Sequence, residues 1–207
     1  QAVDGIRDSV ASRGLGDVYK RQMDSYGNVV SNTYTLNFSY GSGIVIPGTG
    51  ILMNNQMDDF SSKKGVPNAY GLVGFEANAI EAKKRPLSSM TPTIIFKNKK
   101  PYLVLGSPGG SRIITTVLQV TLNVLEHGMN IKKAVASPRM HHQWLPDVLL
   151  LEDGFGIDTH SLLKNKGHTI ERSRTMGSVQ AILSDGRYFY GAADTRRPDA
   201  GAVAVNP

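Results

Sequence analysis

The segment from Pro101 to His127 constrains the fold more than any other part of the chain. Pro101–Leu105 is an apolar run that predicts a buried strand, whereas Ile113–His127 is apolar on almost every side and is followed by Gly128. The second run is rich in β-branched residues, but its length favours a buried helix. Because Gly106–Arg112 joins the two runs, the sequence predicts a strand, a glycine turn and a buried helix.

The glycine turn is a candidate site for negative charge. Gly109 and Gly110 are adjacent, and glycine lets the backbone approach a ligand closely and adopt angles that other residues resist. The free N–H groups at the start of the helix would then face a bound anion, or an oxyanion that forms during a reaction. A tight turn that merely closes a strand–helix unit is the alternative. The spacing matches neither a phosphate loop nor a dinucleotide fingerprint.

Composition excludes several classes of protein. The 207 residues are enough for one domain, and 40% hydrophobic with 19% charged residues argues against wholesale disorder. The chain has no cysteine, which excludes disulfides, thiolate zinc sites and a cysteine nucleophile. The net charge of +6 is concentrated in short clusters between Ser61 and Lys100, with few aromatic residues among them. We therefore expect a solvated basic rim and no nucleic-acid partner.

The pattern of the remaining segments predicts an α+β fold with antiparallel sheets covered by helices. Alternation predicts a strand at Val29–Leu36 and hairpins within Thr91–Leu105 and Val179–Tyr190. Short helices are predicted at Ile131–Ala136 and Thr159–Lys166. Hairpins thus outnumber strand–helix–strand crossovers, which favours this class.

Three polar pairs could carry chemistry. Ser88 and Ser89 could donate hydrogen bonds to a carboxylate, or could cap a turn. Asp58 and Asp59 could serve acid–base chemistry or pair with an ammonium group, or could lie in a solvated turn. The adjacent histidines 141 and 142 have no further ligand at a useful spacing, so we expect no metal site.

Seven stretches, taken together and in order, make the chain resemble the small catalytic subunit of γ-glutamyltranspeptidases. The resemblance covers roughly Asp24 to Val205. The stretches are Asn32–Asn37, Gly50–Phe60, Lys84–Thr93, Gly106–Thr116, Pro138–Pro146, Met176–Ser178 and Gly191–Asp194.

This resemblance implies an N-terminal-nucleophile hydrolase fold, an αββα sandwich, without a metal or an organic cofactor. The family makes a precursor that cuts itself into a large and a small subunit, which stay together as a heterodimer. The threonine that begins the small subunit attacks the γ-glutamyl amide of glutathione or a related compound. Water, an amino acid or a peptide acceptor then resolves the acyl-enzyme. Because the family is exported, the resemblance implies a periplasmic or extracellular protein, although the first residues show no signal-peptide pattern.

Eight residues take up family roles by their positions in these stretches. A carboxylate and amide oxygens suit an ammonium, and hydroxyl donors suit a carboxylate, so the implied roles are chemically consistent. The resemblance implies an oxyanion hole at Gly109 and Gly110, a hydroxyl at Thr35 that orients the nucleophile, a grip on the substrate α-amino group by Asn37, Gln56 and Asp59, and a grip on its α-carboxylate by Ser88 and Ser89.

The start of the chain departs from the family. The family has Thr-Thr-His-Phe/Tyr-Ser ahead of its Asp-x-x-Gly-Asn turn. Counting back from Asp24 places the nucleophile at position 17, which is Asp17 here. We therefore expect residues 1–23 to be an unrelated or disordered lead-in, residues 24–207 to be the small-subunit domain, and both the nucleophile and its strand to be missing. Such a fragment would neither cleave substrate nor process itself.

Three rival functions remain open at this point. The first is an acylase of the same fold that acts on another amide. The second is a non-catalytic binding protein, a degenerate homologue that keeps the glutamate pocket without the nucleophile. The third is a protein that binds through its basic surface, which steeply salt-dependent DNA binding would reveal.

Overall fold

A computed structural model describes residues 17–197 and 200–204, with the backbone alone for residues 17–19. Residues 1–16 of the predicted lead-in lie outside the described residues. In chain order the strands and α-helices are β1 (Asp17–Met23), β2 (Val29–Thr35), β3 (Thr93–Lys97), β4 (Lys100–Gly106), α1 (Arg112–Leu125), α2 (Ile131–Ala136), β5 (Met140–His141), β6 (Leu149–Leu151), α3 (Ile157–Asn165), β7 (Ile170–Arg172), β8 (Gln180–Ser184) and β9 (Phe189–Ala193). Two short 3₁₀ helices lie at Gln56–Asp59 and Glu76–Asn78.

The central sheet has the strand order β3-β4-β8-β9, and every pair in it is antiparallel. Both predicted hairpins are confirmed as parts of this sheet. The β4 strand is an inner strand that is buried over its last four residues, as its apolar run predicts. It therefore delivers the chain to the glycine turn from the middle of the sheet.

The main core lies between this sheet and the helices α1 and α2. Leu103 and Leu105 on β4 pack in one cluster with Val117 and Val120 on α1. Spacings of three and four residues between the buried positions of α1 put them on one face of the helix. The predicted strand, turn and buried helix are thus confirmed. Because β4 and α1 pack in one core, this packing fixes the direction in which α1 leaves the turn.

The opposite face of β4 is covered by the hairpin of β1 and β2. Val104 points away from Leu103 and Leu105, yet it is completely buried. On this face the hydroxyl of Ser31 in β2 donates to the carbonyl of Leu105 at 3.0 Å. The helices α1 and α2 therefore form the first layer, the central sheet the second, and the β1–β2 hairpin the third.

The expectation that the first strand is missing is wrong. Residues 17–23 form β1 and pair with β2 without a break, from Asp17 opposite Thr35 to Met23 opposite Val29. A ladder is made of backbone hydrogen bonds, which form whatever the side chains are, so a changed sequence can still complete the hairpin. The predicted domain boundary after residue 23 stays a prediction, and the strand β1 lies on its N-terminal side.

A third, smaller sheet has the order β5-β6-β7, and its β6–β7 pair is parallel. The prediction of antiparallel sheets is wrong for this pair. A parallel pair needs a crossover connection, and α3 supplies it between β6 and β7. Within residues 17–197 and 200–204, no helix has the length and apolar character to cross a membrane.

Candidate active site

The glycine turn has a backbone that only glycine adopts easily. Gly109 has a φ of +134° and Gly110 a φ of +57°. Their carbonyls accept the first hydrogen bonds of α1, from the N–H groups of Arg112 and Ile113, each at 3.1 Å. Within the described residues, the N–H groups of the two glycines have no acceptor. The turn thus presents two free donors at a helix start, as an oxyanion hole requires.

A single cleft beside this turn contains all eight residues that the resemblance singled out. Thr33, Tyr70 and Ser111 are also in its wall. The predicted residues are Thr35, Asn37, Gln56, Asp59, Ser88, Ser89, Gly109 and Gly110. They come from four separate parts of the chain, so their meeting is a result of the fold. Their individual roles stay predictions.

The pair Gln56 and Asp59 gives the cleft a group that can accept hydrogen bonds. Gln56 donates through Nε2 to Oδ2 of Asp59 at 2.6 Å, while the buried Oε1 of Gln56 has no partner among the described residues. Burial raises the pKa of Asp59; the Gln56 hydrogen bond opposes this rise and the neighbouring Asp58 adds to it. A bound ammonium group would offset the cost of burying the charged Asp59 carboxylate. Binding of the ammonium group weakens as the pH falls through this raised pKa, because the carboxylate is then protonated.

Asn37 follows β2 and lines the cleft, where hydrogen bonds fix its backbone and side chain. It is buried, has a φ of +76° and donates its backbone N–H to the hydroxyl oxygen of Thr35 at 2.9 Å. Its side chain donates to the carbonyl of Asn55 at 3.2 Å. Asp17 lies directly opposite Thr35 in the β1–β2 ladder. The position expected for the nucleophile is therefore next to the cleft.

The two serines also line the cleft. The hydroxyl oxygen of Ser88 accepts from the N–H of Met90 at 3.2 Å, which is the turn-capping arrangement. An accepting hydroxyl still has a proton to donate. The carbonyl of Ser89 accepts from the hydroxyl of Thr91 at 2.9 Å, which fixes the backbone there. Capping a turn and donating to a carboxylate are thus compatible at this site.

Tyr70 lines the cleft and contacts the glycine turn, a feature that the sequence analysis did not find. Its hydroxyl donates to the carbonyl of Asn37 at 3.0 Å. A Cβ atom on Gly110 would lie 2.4 Å from the Tyr70 ring, so only glycine allows this contact. The free space in the cleft is about 50 Å³, room for only a few water molecules.

A buried network of charges lies behind the glycine turn. Arg139 pairs with Asp194 at 2.6 Å, and both side chains are almost completely buried. Arg196 pairs with Glu152 at 2.6 Å and with Asp194 at 3.1 Å. Burial alone would raise the pKa of Asp194. The charge of Arg139, with hydrogen bonds from two backbone N–H groups, outweighs burial and lowers it.

This network holds the segment that packs against the turn. Arg139 donates to the carbonyl of Met176 at 2.5 Å, and the N–H of Met176 donates to Glu152 at 2.6 Å. Two residues on, the N–H of Ser178 donates to the hydroxyl of Ser107 at 2.9 Å. A Cβ on the intervening Gly177 would lie 2.4 Å from that hydroxyl. The charges thus fix a tight support for the glycine turn.

The adjacent histidines differ, because His141 bonds inside the protein whereas His142 lies at the surface with its Nε2 3.0 Å from the exposed Asp147. His141 is buried; its Nδ1 lies 2.7 Å from the hydroxyl of Thr115 and its Nε2 lies 2.9 Å from Oε1 of Gln143. That same oxygen accepts from the hydroxyl of Ser111 at 2.7 Å. Burial lowers the pKa of His141. In the described part of the chain, no group of three or more His, Cys, Asp or Glu side chains could hold a metal ion.

The layered fold and its cleft at a strand–helix turn place the protein among the N-terminal-nucleophile hydrolases. The family model for gamma-glutamyltranspeptidase matches residues 11–204. The chain therefore belongs to the γ-glutamyltranspeptidase family.

Relatives support the same conclusion. The glutathione hydrolase proenzyme of Escherichia coli K12 is 56% identical over 179 residues, which are 86% of this chain and 31% of that protein. The glutathione hydrolase proenzyme of Pseudomonas aeruginosa is 47% identical over 185 residues, 87% of this chain and 33% of that protein. The chain thus spans about a third of the curated relatives it matches. A crystal structure of a mutant Helicobacter pylori gamma-glutamyltranspeptidase superposes with a TM-score of 0.83 at 55% identity, covering 86% of this chain and 99% of that one.

Proposed function

We propose that this chain is the small-subunit part of an enzyme that hydrolyses or transfers γ-glutamyl groups from glutathione and related amides. One observation carries the proposal: the residues suited to an ammonium, a carboxylate and an oxyanion line the same cleft. Its partners would be the large subunit, glutathione or other γ-glutamyl compounds, and amino-acid or peptide acceptors. The whole enzyme would be periplasmic or extracellular, as exported members of this family are.

The geometry suggests how the reaction proceeds. Asp59 and Gln56 bind the substrate ammonium, and the two serines bind its carboxylate, so the γ-carbonyl is directed at the glycine turn. In the complete enzyme, a threonine hydroxyl attacks this carbonyl while the α-amine of the same residue takes its proton. The N–H groups of Gly109 and Gly110 stabilise the oxyanion. Collapse of this intermediate expels the amine, which takes the proton back from the α-ammonium group, and water or an acceptor amine then cleaves the ester.

Counting back from Asp24 without gaps assigns that threonine to position 17, which is Asp17 here and lies opposite Thr35 in the β1–β2 ladder. A carboxylate at this position has no hydroxyl proton to lose and would repel the developing oxyanion. We infer that the chain as written binds the γ-glutamyl group without forming an acyl-enzyme. This residue also favours the second candidate function, a non-catalytic protein that binds glutamate.

Titrating the chain with L-glutamate and two analogues tests the proposed specificity. Glutarate lacks the α-amine and 4-aminobutyrate lacks the α-carboxylate. We expect L-glutamate to shift the backbone amide resonances of Gly109, Gly110 and Asn37, and each analogue to bind at least about tenfold more weakly because it loses one charged hydrogen-bonding group. Equal binding of all three compounds would contradict the proposal and favour an acylase that accepts other side chains.

A further inference from the structure

A second cavity, larger than the first, lies beside the same glycine turn. Its volume is about 490 Å³, and the two cavities share Tyr70, Gly109 and Ser111 in their walls. A group attached to a carbonyl at the glycine turn would therefore have this cavity beside it. The proposed grip on the γ-glutamyl group leaves the second cavity unused.

The second cavity has an excess of positive charge. Arg112, Arg196 and Arg197 line it, and among residues 17–197 and 200–204 no acidic residue does. The charge of Arg196 is balanced within the buried network, where two arginines face Asp194 and Glu152. Arg112 and Arg197 have no carboxylate partner in the described part of the chain. The charge of Arg112 also lowers the pKa of the neighbouring His141. Two uncompensated cations thus face the cavity.

We propose that Arg112 and Arg197 form an anion subsite for the free carboxylate of the peptide that leaves, or accepts, the γ-glutamyl group. This inference rests on the proposed function and deepens it, because it names the chemistry of the second substrate. In glutathione the leaving part is a dipeptide that ends in a carboxylate. Two extended residues span up to about 7 Å, so a carboxylate bound there would be within reach of the scissile bond. A guanidinium group matches a carboxylate through two parallel hydrogen bonds.

The test compares peptides that differ only in their terminal carboxylate. Glutathione and its C-terminal amide serve as the donor pair, and glycylglycine and glycylglycinamide as the acceptor pair, each titrated into the 207-residue chain. We expect the carboxylate form of each pair to bind about tenfold more tightly. Arg112→Gln and Arg197→Gln should each reduce this ratio to about threefold or less, and Arg112→Lys should keep part of it. If only one pair discriminates, the subsite serves donors alone or acceptors alone.

Arg187→Gln is the matched control, because Arg187 lies in the β8–β9 turn and lines neither cavity. It should leave every ratio unchanged. L-Glutamate is titrated into each variant to measure the first cavity separately. Suppose that L-glutamate binds normally. The subsite alone would then be overturned if carboxylate and amide peptides bound equally well, or if Arg187→Gln reduced the carboxylate-to-amide ratio as much as the other variants do. If the unaltered chain does not bind L-glutamate, the result counts against the proposed function itself. Even then, tighter binding of the carboxylate peptides that depends on both Arg112 and Arg197 would support the subsite.

Discussion

Replacing Asp194 by alanine is expected to lower the free energy of unfolding by about 3–5 kcal/mol, the usual cost of leaving a buried charge without its partner. Asp194 accepts from Arg139 at 2.6 Å and from the N–H of Val179 at 2.9 Å, and none of these groups reaches water. The variant would leave the Arg139 guanidinium buried beside Met176 without its carboxylate. Urea denaturation of the chain and its variant measures the loss.

The chain provides an exposed ion pair as a control. Asp153 and Arg172 are also 2.6 Å apart, but both side chains are largely in water. Asp153→Ala should leave the urea midpoint almost unchanged, because water screens and replaces such a pair. If Asp194→Ala moved the midpoint no further than Asp153→Ala does, the buried network would not stabilise the fold. The contribution of Asp194 is present at neutral pH and is lost as the pH falls through its lowered pKa.

Replacing Asp59 by asparagine is expected to weaken L-glutamate binding by roughly 30- to 100-fold. Losing one partner of a charged, hydrogen-bonded pair costs about 2–5 kcal/mol when the pair is buried, and the half-buried position of Asp59 places the effect at the lower end. The amide oxygen of asparagine can still accept from Nε2 of Gln56, so the substitution removes mainly the charge. Calorimetric titration of the chain with L-glutamate measures the change.

Asp58→Asn is the matched control for this prediction. Asp58 is the adjacent carboxylate but does not line the cleft, and it raises the pKa of Asp59 by repulsion. Its replacement should leave the affinity the same or slightly improve it. If the two variants weakened binding equally, the affinity for L-glutamate would depend only on the total negative charge near the cleft. The assignment of the ammonium to Asp59 would then be wrong.

The main frame of the fold could be predicted because it depends on local patterns. The run from Pro101 to His127 has one apolar strand, one glycine turn and one apolar helix, and the strand and helix pack in one core. The cleft residues could be assigned only through their resemblance to a family. Ser88 and Asp59 are ordinary turn residues by composition, and nothing in their spacing shows that they meet.

Other features depend on contacts between distant residues. Arg139 and Asp194 are 55 residues apart, and charged residues are normally exposed, so no pattern predicts that they are buried together. Tyr70 lies in a long segment without periodicity, although a tyrosine in a loop of that length is a signal to examine. The β1 strand escaped prediction because its pairing needs only backbone atoms, while its side chains depart from the family pattern.

Restoring the family sequence at the start of β1 tests the central claim most directly. The altered chain would begin at residue 17 and carry Asp17→Thr, Val18→Thr, Tyr19→His, Lys20→Tyr and Arg21→Ser, assembled with the large subunit of the E. coli relative. We expect it to release L-glutamate from a γ-glutamyl anilide at least about 10³-fold faster than the same assembly with Asp17→Ala in place of Asp17→Thr. An assembled, folded complex that releases no glutamate, or that cleaves an uncharged acyl anilide equally fast, would contradict the account.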